Sequence, residues 1–86
     1  VVTSAVMPES LPGVRFYPNP VRDNLIIENG FVIDKVIVLD IYGRQLKIVS
    51  PDDTMCRIDM SGLPAGIYLL RVEAGGSVST AKILKY

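Results

Sequence analysis

Turn-forming residues interrupt this chain at intervals of about ten residues, and that spacing limits what it can fold into. The marks are Pro18-Asn19-Pro20, Asn29-Gly30, Tyr42-Gly43, Pro51-Asp52-Asp53, the stretch from Gly62 to Gly66, and Gly75-Gly76. A helix needs a longer run with apolar residues recurring at about 3.6 positions, and none occurs from Arg15 onward. The segments between the marks are rich in Val and Ile, which suit a pleated, half-buried surface. They read as about seven strands: Val14–Tyr17, Asn24–Glu28, Lys35–Ile41, Gln45–Val49, Met55–Asp59, Ile67–Glu73 and Val78–Lys85. Many short strands with regular turns predict an all-β sandwich or barrel. Residues 1–13 carry Pro8 and Pro12 among small side chains with no sustained period, which is linker composition. The predicted division is a linker or cleavage region at 1–13 and a folded domain at 14–86, cut from a longer protein.

Alternation then sorts the faces, since successive strand residues point to opposite sides. Leu25 and Ile27, Val36 and Val38, Leu46 and Ile48, Cys56 with Ile58 and Met60, and Tyr68 with Leu70 and Val72 are expected in the core. Ile26, Ile37, Leu39, Ile67 and Leu69 then point outward, either scattered or as an exposed apolar patch. Such a patch leaves room for a weak homodimer. Asn29-Gly30 and Gly75-Gly76 suit tight hairpins, and Gly43 suits a left-handed turn position. Pro18 and Pro20 make a stiff corner where the chain can pass between sheets, with Asp23 placed to accept backbone N–H groups.

Composition removes whole classes of function. Nine basic and nine acidic side chains cancel, so the electrostatic footprint of a nucleic-acid binder is missing. Without histidine, no Ser-His-Asp or Cys-His site can be built from the chain. No apolar run is long enough to span a bilayer. An independent enzyme is not expected, and neither is a cofactor. Asp34, Asp52 and Asp53 lack the ligand ladder of a calcium loop and read as solvated turn acids. The single Cys56 lies on the inferred core face and reads as a small buried hydrophobe.

The turn motifs also stand in a familiar order. Phe16-Tyr17-Pro18-Asn19-Pro20-Val21-Arg22-Asp23-Asn24-Leu25-Ile26-Ile27 resembles the opening signature of the C-terminal sorting domains of the type IX (Por) secretion system of Bacteroidetes. Val36 to Arg44 is similar to that family's central strand and Gly-Arg turn. Ile58 to Val72 resembles its longest motif, with Met60 where Leu is commoner, and Lys82-Ile83-Leu84-Lys85-Tyr86 resembles its Lys-flanked close. The resemblance covers Val14 to Tyr86.

That resemblance implies an Ig-like antiparallel β-sandwich acting as a secretion signal for an upstream cargo. It implies passage through the periplasm, then display at the outer membrane or release. The implied partners are the outer-membrane shuttle PorV, the sortase-like peptidase PorU, which usually removes the domain, and the translocon. The motif residues carried over are Pro18, Asn19, Pro20, Asp23, Gly43, Arg44, Gly62, Leu63, Pro64, Gly66, Tyr68, Lys82 and Lys85. Cleavage upstream of the first strand is expected near Thr3, Ser4 and Ala5. The rim of the last strand near Val78–Lys85, with its lysines, is the expected docking edge. The rival reading is a structural or adhesive Ig-like module of a cell-surface protein. Leu63-Pro64-Ala65-Gly66 lacks the Thr, apolar span and basic tail of a Gram-positive sortase signal.

Overall fold

The computed structural model describes residues 14–86, and every regular element among them is a β-strand. These are β1 (Arg15–Tyr17), β2 (Asn24–Leu39), β3 (Gln45–Val49), β4 (Asp53–Asp59), β5 (Gly66–Ala74) and β6 (Ser77–Lys85). All the ladders joining them are antiparallel. The class is therefore all-β, as the turn spacing predicts.

β2 organises everything else. Its first part lies between β1 and β4, with Ile27 opposite both Phe16 and Cys56. Its second part lies between β3 and β5, with Val36 opposite both Val49 and Val72, and β6 pairs with the far side of β5. The register slips between Glu28 and Ile33 and again before Lys35, where the strand changes partners. Buried side chains from both parts form one cluster: Leu25, Ile27, Cys56 and Ile58 meet Val36, Val38, Tyr68, Leu70, Val72 and Ile83. Each large aliphatic fully buried there contributes about 1.5–3 kcal/mol relative to exposure.

This continuity corrects two expectations. Asn29-Gly30 is not a hairpin, and the segments read as Asn24–Glu28 and Lys35–Ile41 belong to one 16-residue strand, giving six strands rather than about seven. The chain does not reverse there because each part of β2 buries its inner face against different neighbours. Asn-Gly interrupts the ladder without ending the strand, as a glycine inside a strand often does. The Asn29 side chain, itself buried, donates from Nδ2 to the Phe31 carbonyl at 3.1 Å. Gly75-Gly76 does make the expected two-residue turn, with φ of 57° and 80° between the paired Ala74 and Ser77.

Most of the core follows the alternation, with one departure and one outward residue that is nonetheless covered. Ile48 was expected inside and is 54% exposed, while Leu46 packs against the core. The cause is a bulge: Val38 pairs with Lys47 and Leu39 with Gln45, which leaves Leu46 as an extra residue. One inserted residue breaks the alternation, so Leu46 turns inward while Ile48 keeps the outer face beside Ile37. Ile37 points outward as expected yet is only 4% exposed, flanked by its cross-strand neighbours Ile48 and Arg71. Cys56 is buried, and desolvation pushes its thiol pKa up.

Candidate functional site

Two of the motif turns are closed by an aspartate within the turn. Between β2 and β3, Asp40 Oδ1 accepts the N–H groups of Tyr42 and Arg44, each at 2.9 Å, while Oδ2 takes Arg44 Nε at 3.1 Å. Gly43 donates to the Asp40 carbonyl at 3.0 Å and holds φ at 86°, where a Cβ is unfavourable. These bonds, the Arg44 N–H foremost, hold the Asp40 carboxyl below its ordinary pKa. After β4, Asp59 Oδ1 accepts the Ser61 hydroxyl at 2.6 Å and its N–H at 2.9 Å, which lowers the Asp59 pKa too. Leu63 packs against the core, and the Tyr68 hydroxyl donates to the Pro64 carbonyl at 2.5 Å. A tyrosine bonded to backbone a few residues upstream is a known corner device of β-sandwich proteins.

The Pro18-Asn19-Pro20 corner is built differently. Both X-Pro bonds, Tyr17-Pro18 and Asn19-Pro20, are cis. Leaving β1, the corner carries the chain to the outer rim of β6. There the Asn19 side chain behaves like a short strand: Nδ2 donates to the Lys82 carbonyl at 3.2 Å, and Oδ1 accepts the Leu84 N–H at 3.0 Å. Val21 continues the pairing in parallel, donating to the Leu84 carbonyl at 2.7 Å and accepting the Tyr86 N–H at 3.0 Å. The Arg22 guanidinium stands over the Tyr86 ring, 5.1 Å from its centroid. The rim expected to be free along Val78–Lys85 is thus closed from the Lys82 carbonyl to the Tyr86 N–H. A polar side chain and a buried Val21 supply the missing ladder partners, as unpaired edges usually require.

The family model of the secretion system C-terminal sorting domain matches residues 15–86. The chain belongs to that family. No curated protein sequence matches it. A solved structure similar to the sorting domain is that of PorZ, an essential bacterial surface component of the type IX secretion system of human oral-microbiomic Porphyromonas gingivalis. The TM-score is 0.73 at 22% identity, over 93% of this chain and 12% of that one. The chain therefore spans about an eighth of that protein's length, and the likeness establishes a shared fold.

Three of the four motifs converge in the sorting domain. Asp23 accepts the Met60 N–H at 2.6 Å through its main-chain carbonyl, tying the first motif to the third. Gly66 pairs with Lys85, tying the third to the last, and Asn19 closes the triangle on Lys82 and Leu84. Gly43 and Arg44 fold on Asp40 within their own turn. Lys82 is exposed, while Lys85 is half-buried and donates from Nζ to the Tyr86 backbone oxygen at 2.8 Å. Asp40, Asp59, Val21 and Arg22 were not among the expected site residues. An Asp followed by a polar or glycine turn signals the first two; nothing local signals the others. Among the described residues, no His/Cys/Asp/Glu group is arranged to hold a metal. The expected cleavage residues Thr3, Ser4 and Ala5 lie outside the described residues.

Proposed function

We propose that this domain is the export label of a longer cargo, recognised in folded form by the type IX machinery and carried across the outer membrane. The family match over residues 15–86 is the observation that carries this reading. Physical economy supports it. A receptor that had to order a flexible tail would spend about 1–2 kcal/mol per residue on backbone entropy alone. Here the end of β6 is already fixed by the corner, so Lys82 and Lys85 are offered at set positions.

In this reading residues 14–86 form the sorting domain, and the motif residues from Pro18 to Lys85 form and display the signal. PorV serves as the shuttle that receives it, and PorU as the sortase that removes it upstream of β1, within the linker that holds Thr3, Ser4 and Ala5. The cargo passes the periplasm and ends at the cell surface or in the medium. The domain itself has no catalytic part in this, and any activity belongs to the cargo. The test fuses residues 1–86 to a periplasmic reporter in a host with a type IX system. Surface or medium delivery that depends on the translocon supports the label, and retention in the periplasm favours an adhesive module instead. Mass spectrometry of any shed fragment locates the cut; a new N-terminus inside β1 or later contradicts removal upstream.

A further inference from the structure

The register places Ile48, Leu39, Leu69, Ile67 and Leu84 on one outer face of the sheet formed by β3, the second part of β2, β5 and β6. Ile48, Ile67 and Leu84 are each about half exposed, at 54%, 44% and 46%. Ile41 and Tyr42, also exposed, sit in the turn that joins β2 to β3. The charges sharing this face are Lys35, Arg71 and Lys82 against a single carboxylate, Glu73, and Arg71 already holds that carboxylate at 3.5 Å. The chain as a whole is neutral, so the face has an apolar centre and a local cationic excess. Two copies meeting through it would set lysine and arginine against their own kind, which opposes self-association. Strand addition at the neighbouring rim is blocked where Asn19 and Val21 occupy it.

We propose that this outer face is where the domain docks on its export receptor, a protein surface with an apolar centre and a carboxylate border, with contact by side chains rather than by an added strand. The inference rests on the sorting reading and names how that signal is read. Lys82 belongs to both features, since its carbonyl anchors Asn19 and its side chain rises beside Leu69 on the face. The corner therefore fixes the height of one border of the docking surface.

The test uses the full chain fused to a reporter in a type IX host, with a photoreactive residue at position 67 in one series and at position 57, exposed on β4 opposite Ile26 and outside this face, in another. Ile67→Glu and Lys82→Glu are each expected to cut export about tenfold. Lys82→Arg should stay near the starting level. Ile67→Thr keeps strand preference, so a loss there with an unchanged melting curve excludes unfolding as the cause. Crosslinks should form from position 67 to one export component and be lost in high salt or with Lys82→Glu. Normal export of Ile67→Glu and Lys82→Glu overturns the face while leaving the sorting reading intact; failure of the unaltered fusion to export overturns the sorting reading itself. Crosslinks from position 57 alone, or a dimer of the free chain that Ile67→Glu dissolves, also overturn the proposal.

Discussion

Asp40 and Asn19 have side chains of nearly the same shape, yet they organise opposite kinds of structure. Asp40 satisfies main-chain groups no more than four positions away, so its turn is complete in itself. Asn19 reaches partners 63 and 65 positions away, so its bonds exist only after the whole sheet has formed. The first closes a hairpin. The second reports to the end of the chain that the beginning is in place. A polar side chain at a turn is thus either a local fastener or a long-range one, depending on what edge lies within reach.

Substitutions test that contrast in order of size. Ile83→Ala removes a fully buried side chain from the strand that Asn19 grips, and should cost about 2–5 kcal/mol in urea unfolding. If the cost is below about 1 kcal/mol, the strand is looser than the corner implies. Gly43→Ala forces a Cβ onto a φ of 86° and should cost about 1–2 kcal/mol. Its effect should stay within the β2–β3 turn, leaving amide exchange at Leu84 unchanged.

Asn19→Ala should cost less than about 1 kcal/mol overall, because the bonds it removes lie near solvent. Exchange at the Leu84 amide should quicken strongly while the amides of Tyr42 and Arg44 hold. Asp40→Ala should give the reverse pattern, and identical patterns from the two variants would erase the distinction. The smallest effect is on acid stability. The carboxyls of Asp40 and Asp59 titrate below their ordinary range when folded, so their contribution is present above the unfolded pKa. It is lost as pH falls below about 4 and through the folded values, softened by solvent screening. An Asp40→Asn, Asp59→Asn double variant should flatten that limb in thermal melts between about pH 2 and 4, the window just below the ordinary Asp value of about 3.9.

The same contrast explains how much could be read in advance. Strand class, the Gly75-Gly76 hairpin, the left-handed Gly43 and the buried set from Leu25 to Val72 follow from alternation and turn chemistry, which act over a few residues. Ile48 escaped because a single bulge at Leu46 breaks the alternation, and nothing in Gln45-Leu46-Lys47 announces it. Asn29-Gly30 carried a sound hairpin signal, but two different sets of neighbours bury the flanking halves, and tertiary pairing outweighed the local preference. For the site, the motifs themselves were legible by resemblance. Their convergence was not, because the Asn19–Leu84 and Asp23–Met60 contacts depend on topology rather than spacing.

The unbroken course of β2 through both halves carries a mechanical consequence. No loop separates one half from the other, so neither can melt while its companion stays intact. Unfolding should behave as a single cooperative unit, with calorimetric and van't Hoff enthalpies in agreement. Under the proposed sorting role, a receptor would meet either the complete label or none of it.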